Sequence, residues 1–118
     1  MNWAKLLYVI CMVESSGNPN VEDGDGGLAV GMYQIHQQYV FDVNRIYNTS
    51  YTHDDCRDRS TAELIVIKYL RYWGARYQLN TGKEPTFEDY CRMHNGGCHF
   101  YKDRSETDYY WSKCKRFL

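Results

Sequence analysis

The segment Ser60–Gln78 holds no proline, and its middle, Leu64–Ile67, is apolar on every side. A helix of that kind is expected to run through a core and not along a surface. Ser60 with Glu63 three residues on reads as a capping box that opens it. In a chain of 118 residues, one such helix leaves room for one core, so a single domain over residues 1–118 is predicted.

The other segments are shorter. Asn2–Ser15 reads as a helix in which Trp3, Leu7, Ile10 and Glu14 recur at helical spacing on one face. Ser16, Gly17 and Pro19 then stop it. Met1–Met12 is apolar but runs into Glu14 without a small-residue cleavage site, so it is expected to be a structural helix and not a signal peptide. Val21–Ala29 is rich in Gly and Asp and predicts a loop or short hairpin, followed by the short apolar run Val30–Ile35. Gln37–Tyr47 and Thr86–His94 read as further helices, the latter ended by Asn95-Gly96-Gly97. Ser105 with Asp108 suggests a second capping box that opens a last helix carrying Tyr109, Tyr110 and Trp111. The fold class expected is α+β, predominantly α-helical, with one small β-hairpin in Val21–Ile35.

Composition narrows the function. No apolar run approaches the ~20 residues that span a bilayer. Residues 1–58 hold three basic and eight acidic side chains, and residues 59–118 hold eleven basic and seven acidic. The basic residues are scattered along helices, which is not the footprint of a nucleic-acid binder. The five cysteines, Cys11, Cys56, Cys91, Cys98 and Cys114, include no CxxC pair, so a zinc site is not expected. Cys98 and Cys114 bracket the last helix and are the bridge expected if one forms. The 12 Tyr and 3 Trp suit either a core or a sugar-binding cleft.

Glu14 is the residue with chemical interest. A carboxyl that continues an apolar helical face loses hydration, which favours its protonated form and suits it to general-acid work. It also reads as the first polar residue of a loop, bonded to turn amides. Two further runs stand beside it: "GLAVGMYQIH" at Gly27–His36 and "RMHNGG" at Arg92–Gly97.

Together with "ESSGNPN", these runs resemble, in order and spacing, the three motifs of the goose-type lysozyme and lytic transglycosylase group. The last third, "TFEDYCRMHNGGC" followed by "YYW", is similar to invertebrate-type lysozymes and related phage lysis enzymes. The resemblance covers nearly the whole chain and implies a lysozyme-like fold acting on bacterial peptidoglycan. Glu14 would then protonate the β-1,4 glycosidic oxygen between N-acetylmuramic acid and N-acetylglucosamine. The resemblance further implies that Ser15, Tyr33, Gln34, Ile35, His94, Asn95 and Gly96 support or touch the sugar. Gln34 reads equally as a structural amide, and His94 equally as a core histidine. A second carboxylate is expected just before the Gly31–Ile35 run. Asp25 is preferred for its flanking glycines, with Asp23 and Glu22 as alternatives.

No metal or organic cofactor is implied, nor an oligomer or a nucleic-acid partner. The setting implied is extracellular, or delivery to the wall by a phage or virus. The rivals are lytic transglycosylation that yields anhydro sugars, action on chitin-type oligomers, and an inactive glycan-binding module of the same fold.

Overall fold

The computed structural model describes all residues, Met1–Leu118. Five α-helices carry the chain: α1 (Trp3–Ser15), α2 (Gln37–Tyr47), α3 (Arg59–Thr81), α4 (Phe87–Gly96) and α5 (Asp108–Cys114). Short 3-10 turns lie between and after them, the first at Asp25–Gly27. The predominantly helical, lysozyme-like class fits. No helix is long and apolar enough to cross a membrane.

The β-hairpin expected within Val21–Ile35 does not form. In its place are two isolated antiparallel bridges, Gly24 with Ala29 and Val30 with Ile35. Each is closed at once by a turn that uses left-handed backbone, at Asp25, Gly26 and Gly27 in the first and at Gly31 and Gln34 in the second. Two tight turns in succession leave no residues to extend either pair into strands.

By its contacts the chain divides into two compact units. One comprises Met1–Ile10 with Leu70–Leu118, and the other Cys11–Tyr69. α1 and α3 each contribute one part to either unit. Asn2 caps α1, its side-chain oxygen accepting from the Lys5 amide at 3.1 Å. The fully buried positions of α1 are Leu6, Val9 and Ile10. The face expected from Trp3, Leu7 and Glu14 is the half-buried edge of that stripe.

α3 also departs from expectation. It is opened by Asp58, whose carboxylate accepts from the Thr61 amide (3.0 Å) and hydroxyl (2.8 Å). Those two bonds hold the Asp58 carboxyl below its ordinary range. The Ser60–Glu63 box is not used. The buried stripe of α3 is Ala62, Ile65, Val66, Tyr69 and Leu70, whereas Leu64 is 52% exposed. The helix therefore lines a core along one face and is not enclosed by it.

In the unit that contains the termini, α4 begins with a reciprocal capping box. The Asp89 amide donates to Thr86 Oγ1 (3.1 Å), and the Thr86 amide donates to Asp89 Oδ2 (2.9 Å). Thr86→Ala is expected to cost about 1 kcal/mol. The check is a lowered urea midpoint at unchanged m value, and an unmoved midpoint would contradict the cap's role. Asp89 also accepts an ion pair from Arg104. Arg92, buried on α4, donates to Glu88 (2.8 Å), to the Arg104 carbonyl (2.8 Å) and to Asp108 (2.8 Å). The start of α5 is therefore tied to α4 by charge-assisted bonds, and the expected Ser105–Asp108 box is absent.

Aromatic packing supplies much of the rest. Trp3 meets Tyr90 at 5.1 Å between ring centroids, and Tyr77, Phe100 and Tyr101 form a cluster. All three tryptophans, Trp3, Trp73 and Trp111, belong to this unit.

No disulfide forms, so the expected Cys98–Cys114 bridge is absent. Cys114 is wholly buried, and its sulfur meets Cys91 of α4. That hydrogen bond, together with burial, pushes the Cys91 thiol well above its ordinary value. Burial, with help from Asp55, pushes the Cys56 thiol up to about 12.

Candidate active site

Glu14 is the penultimate residue of α1 and is half-buried. Beyond it the chain turns sharply through left-handed Ser16 (φ 54°) and Gly17 (φ 74°). The helix therefore stops with the Glu14 side chain presented at its end. The charge of Glu14 reaches Tyr39 on α2, whose phenol is pushed well above 10.0, first by burial and then by Tyr69 and Glu14. The Tyr39 ring lies flat against Tyr69, with centroids 3.7 Å apart and planes 15° apart.

The three acids of the following loop are sorted by their partners. Asp23 is gripped in a fork by Arg57, at 2.8 and 2.9 Å, and that guanidinium holds its carboxyl below the ordinary range. Arg57 is itself fixed by Asp54 at 2.7 Å. Glu22 is exposed and lends its backbone carbonyl to Gln34. Asp25 stands at the tip with left-handed backbone (φ 51°) and meets Nε2 of His36 at 2.7 Å. A carboxylate only accepts, so His36 Nε2 carries the proton. Both side chains are well exposed, at 67% and 50%, so this contact orients the carboxylate more than it stabilises the fold.

The Gly31–Ile35 run is a built turn. Gly31 has φ 80°, and a Cβ there would lie 2.1 Å from the Cys56 carbonyl oxygen. The Gln34 amide nitrogen donates to the carbonyls of Gly31 (2.9 Å) and Glu22 (3.4 Å). Its oxygen fills the space that a side chain on Gly24 would need. Tyr33 is wholly buried and donates its hydroxyl to Glu63 Oε2 at 2.7 Å. Burial first, and that carboxylate next, push its phenol far up. Ile35 is buried, and its carbonyl accepts from His53 Nε2 at 2.6 Å. Ser15 donates to the Cys11 carbonyl at 3.1 Å, back along its own helix. A small pocket of about 300 Å³ lies beside the turn, among Pro19, Asn20, Val21, Gly31 and Arg57.

Glu14, Ser15, Asp25, Tyr33, Gln34 and Ile35 all belong to the Cys11–Tyr69 unit. His94, Asn95 and Gly96 belong to the other, on the last turn of α4. There His94 is buried, Asn95 is exposed, and Gly96 packs under Thr107, whose methyl would sit 2.6 Å from an added Cβ.

The chain carrying this helix-ending glutamate and acidic loop matches one family model over almost its whole length. The Destabilase family model covers residues 4–117. The chain belongs to the Destabilase family. Membership carries the lysozyme-like, invertebrate-type side of the resemblance, and the goose-type and phage comparisons gain no support from it. No curated protein matches the chain significantly.

Within this Destabilase chain, four contributors escaped the sequence reading. They are Tyr39 beside Glu14, His36 on Asp25, Arg57 on Asp23 and Glu63 under Tyr33. Only His36 carried a local signal, because it directly follows the Gly31–Ile35 run. Arg57 and Glu63 act across about thirty residues or more of sequence, which no short motif reveals.

Proposed function

We propose that this Destabilase-family chain is a muramidase. It cleaves the β-1,4 bond between N-acetylmuramic acid and N-acetylglucosamine, with Glu14 as general acid and Asp25 as the second carboxylate. The observation that carries the reading is the family match together with Glu14 at the stopped end of α1, beside the Tyr39–Tyr69 stack. Lysozymes are the type case of paired-carboxylate glycoside cleavage. One carboxyl protonates the leaving oxygen, and positive charge then develops on the sugar ring. The other carboxylate meets that charge directly or through a water.

Asp25 suits the second role better than its neighbours. Asp23 is neutralised by Arg57, whereas Asp25 keeps an accessible carboxylate oriented by one histidine. Its work is at the bacterial wall, in the extracellular space or wherever the protein is delivered, and it acts as a monomer.

Mass spectrometry of products from purified peptidoglycan tests the reaction. Muropeptides with reducing ends support the muramidase. Anhydro-muropeptides would assign lytic transglycosylation in its place, and no product from folded protein would leave a glycan-binding module. Asp25→Asn is expected to lower the hydrolytic rate at least about 100-fold, the scale of a lost acid–base or nucleophilic carboxyl. An unchanged rate would move the role to Glu22 or remove it.

A further inference from the structure

A cavity of about 660 Å³ lies away from Glu14. It is an open groove between one face of α2 and the segment Tyr51–His53. Gln37, Gln38, Val40, Phe41 and Asn44 form its α2 wall, and all but Gln38 recur at helical spacing on one face. Tyr39, the neighbour of Glu14, lies two positions from both Gln37 and Phe41 and so projects from the opposite side of that helix. The groove therefore opens away from Tyr39, and it meets the Gly31–Ile35 turn through His53, which bonds the Ile35 carbonyl.

Hydrogen bonds tie the groove's walls to the chain. Asn44 clamps its far wall, donating to the Tyr51 carbonyl (2.8 Å) and accepting from the Tyr51 amide (2.9 Å). His53 is anchored by Nε2 to the Ile35 carbonyl, which leaves Nδ1 as an acceptor. The Gln37 amide and the Tyr51 hydroxyl have no partner in the chain. Phe41 offers a ring that is 57% exposed over a floor containing buried Val40. No Asp, Glu, Lys or Arg lines the groove. Its volume is within the ~300–1,000 Å³ of small-molecule sites.

A neutral lining with one flat apolar ring, an amide, a phenol and an imidazole acceptor suits an uncharged ligand. That ligand must present an apolar face and several hydroxyl or amide groups. Phosphates, nucleotides and metal ions find no countercharge here. We infer that the groove is a second glycan subsite, which binds an N-acetylhexosamine ring of a β-1,4 strand apart from the strand's cleavage point. The choice of polymer rests on the muramidase reading, whereas the chemistry of the groove does not.

The test is an NMR titration of Glu14→Gln protein with the N-acetylglucosamine trimer. Saturable shifts are expected at the amides of Gln37, Phe41, Tyr51 and His53. Adding Phe41→Ala or Gln37→Ala, both exposed positions, is expected to weaken that saturation at least about 10-fold. The glucose trimer, which lacks N-acetyl groups, is expected to bind more weakly still. No shift at those amides up to ~10 mM sugar would overturn the subsite, as would shifts unchanged by both substitutions. Equal binding of the glucose trimer would overturn the N-acetyl assignment. Peptidoglycan digestion by the wild-type protein, run in parallel, separates the two readings. Groove shifts without digestion leave the subsite standing and sink the muramidase. Digestion without groove shifts does the reverse.

Discussion

Glu14→Gln is expected to stop peptidoglycan cleavage, with a loss of at least about 100-fold in rate, while the protein stays folded. The amide has nearly the shape of the carboxyl but cannot donate a proton to the glycosidic oxygen. Position 14 is only half-buried at the edge of the α1 stripe, so Leu6, Val9 and Ile10 keep their packing. The measurement is the rate of muropeptide release beside the thermal midpoint. A variant that digests walls at the parent rate with an unchanged midpoint would remove Glu14 from the chemistry. A large drop in the midpoint would make the loss one of structure.

Gly31→Ala carries the largest expected cost in stability. Two effects combine there. The backbone sits at φ 80°, where a side chain costs roughly 1–2 kcal/mol. The new Cβ would also lie 2.1 Å from the Cys56 carbonyl oxygen and 2.9 Å from its carbon, both backbone atoms. One of the two chains must move, and a total of at least about 3 kcal/mol is expected. For a chain of this size that is on the order of 10 °C in midpoint. Gly26→Ala is the control. It shares the left-handed backbone, φ 66°, but nothing lies within 4 Å of its Cβ. It should lose only ~1 kcal/mol. Equal losses at the two positions would mean that the close approach to Cys56 is unimportant.

The helices were legible because their signals are local. Asn2–Ser15 and Gln37–Tyr47 match α1 and α2 to within a residue, since apolar spacing and the breakers Ser16, Gly17 and Asn48 mark them. Glu14 is half-buried just before that stop, where the apolar spacing of α1 ends. What failed was decided by partners far away in sequence. Glu63 reads as the third residue of a capping box, yet Tyr33 takes its carboxylate from thirty positions away. Asp58 caps α3 in its place. Leu64 reads as core because its neighbours are apolar, yet only the stripe through Ile65 and Val66 finds a packing surface. The Val21–Ile35 stretch has the composition of a hairpin. Left-handed backbone at Asp25, Gly26, Gly27, Gly31 and Gln34 breaks it into turns instead. Arg57 holds Asp23 and His36 meets Asp25, and neither partner could be read from the loop itself.

The placement of the three tryptophans has a spectroscopic consequence. Trp3, Trp73 and Trp111 lie in the unit formed by Met1–Ile10 and Leu70–Leu118, and none lies in Cys11–Tyr69. Indole emission therefore reports on the half that carries His94 and is silent about the half that carries Glu14 and Asp25. Melting followed by tryptophan fluorescence would miss an early loosening of the acidic loop. A single tryptophan introduced at exposed Phe41 would give the silent half its own reporter.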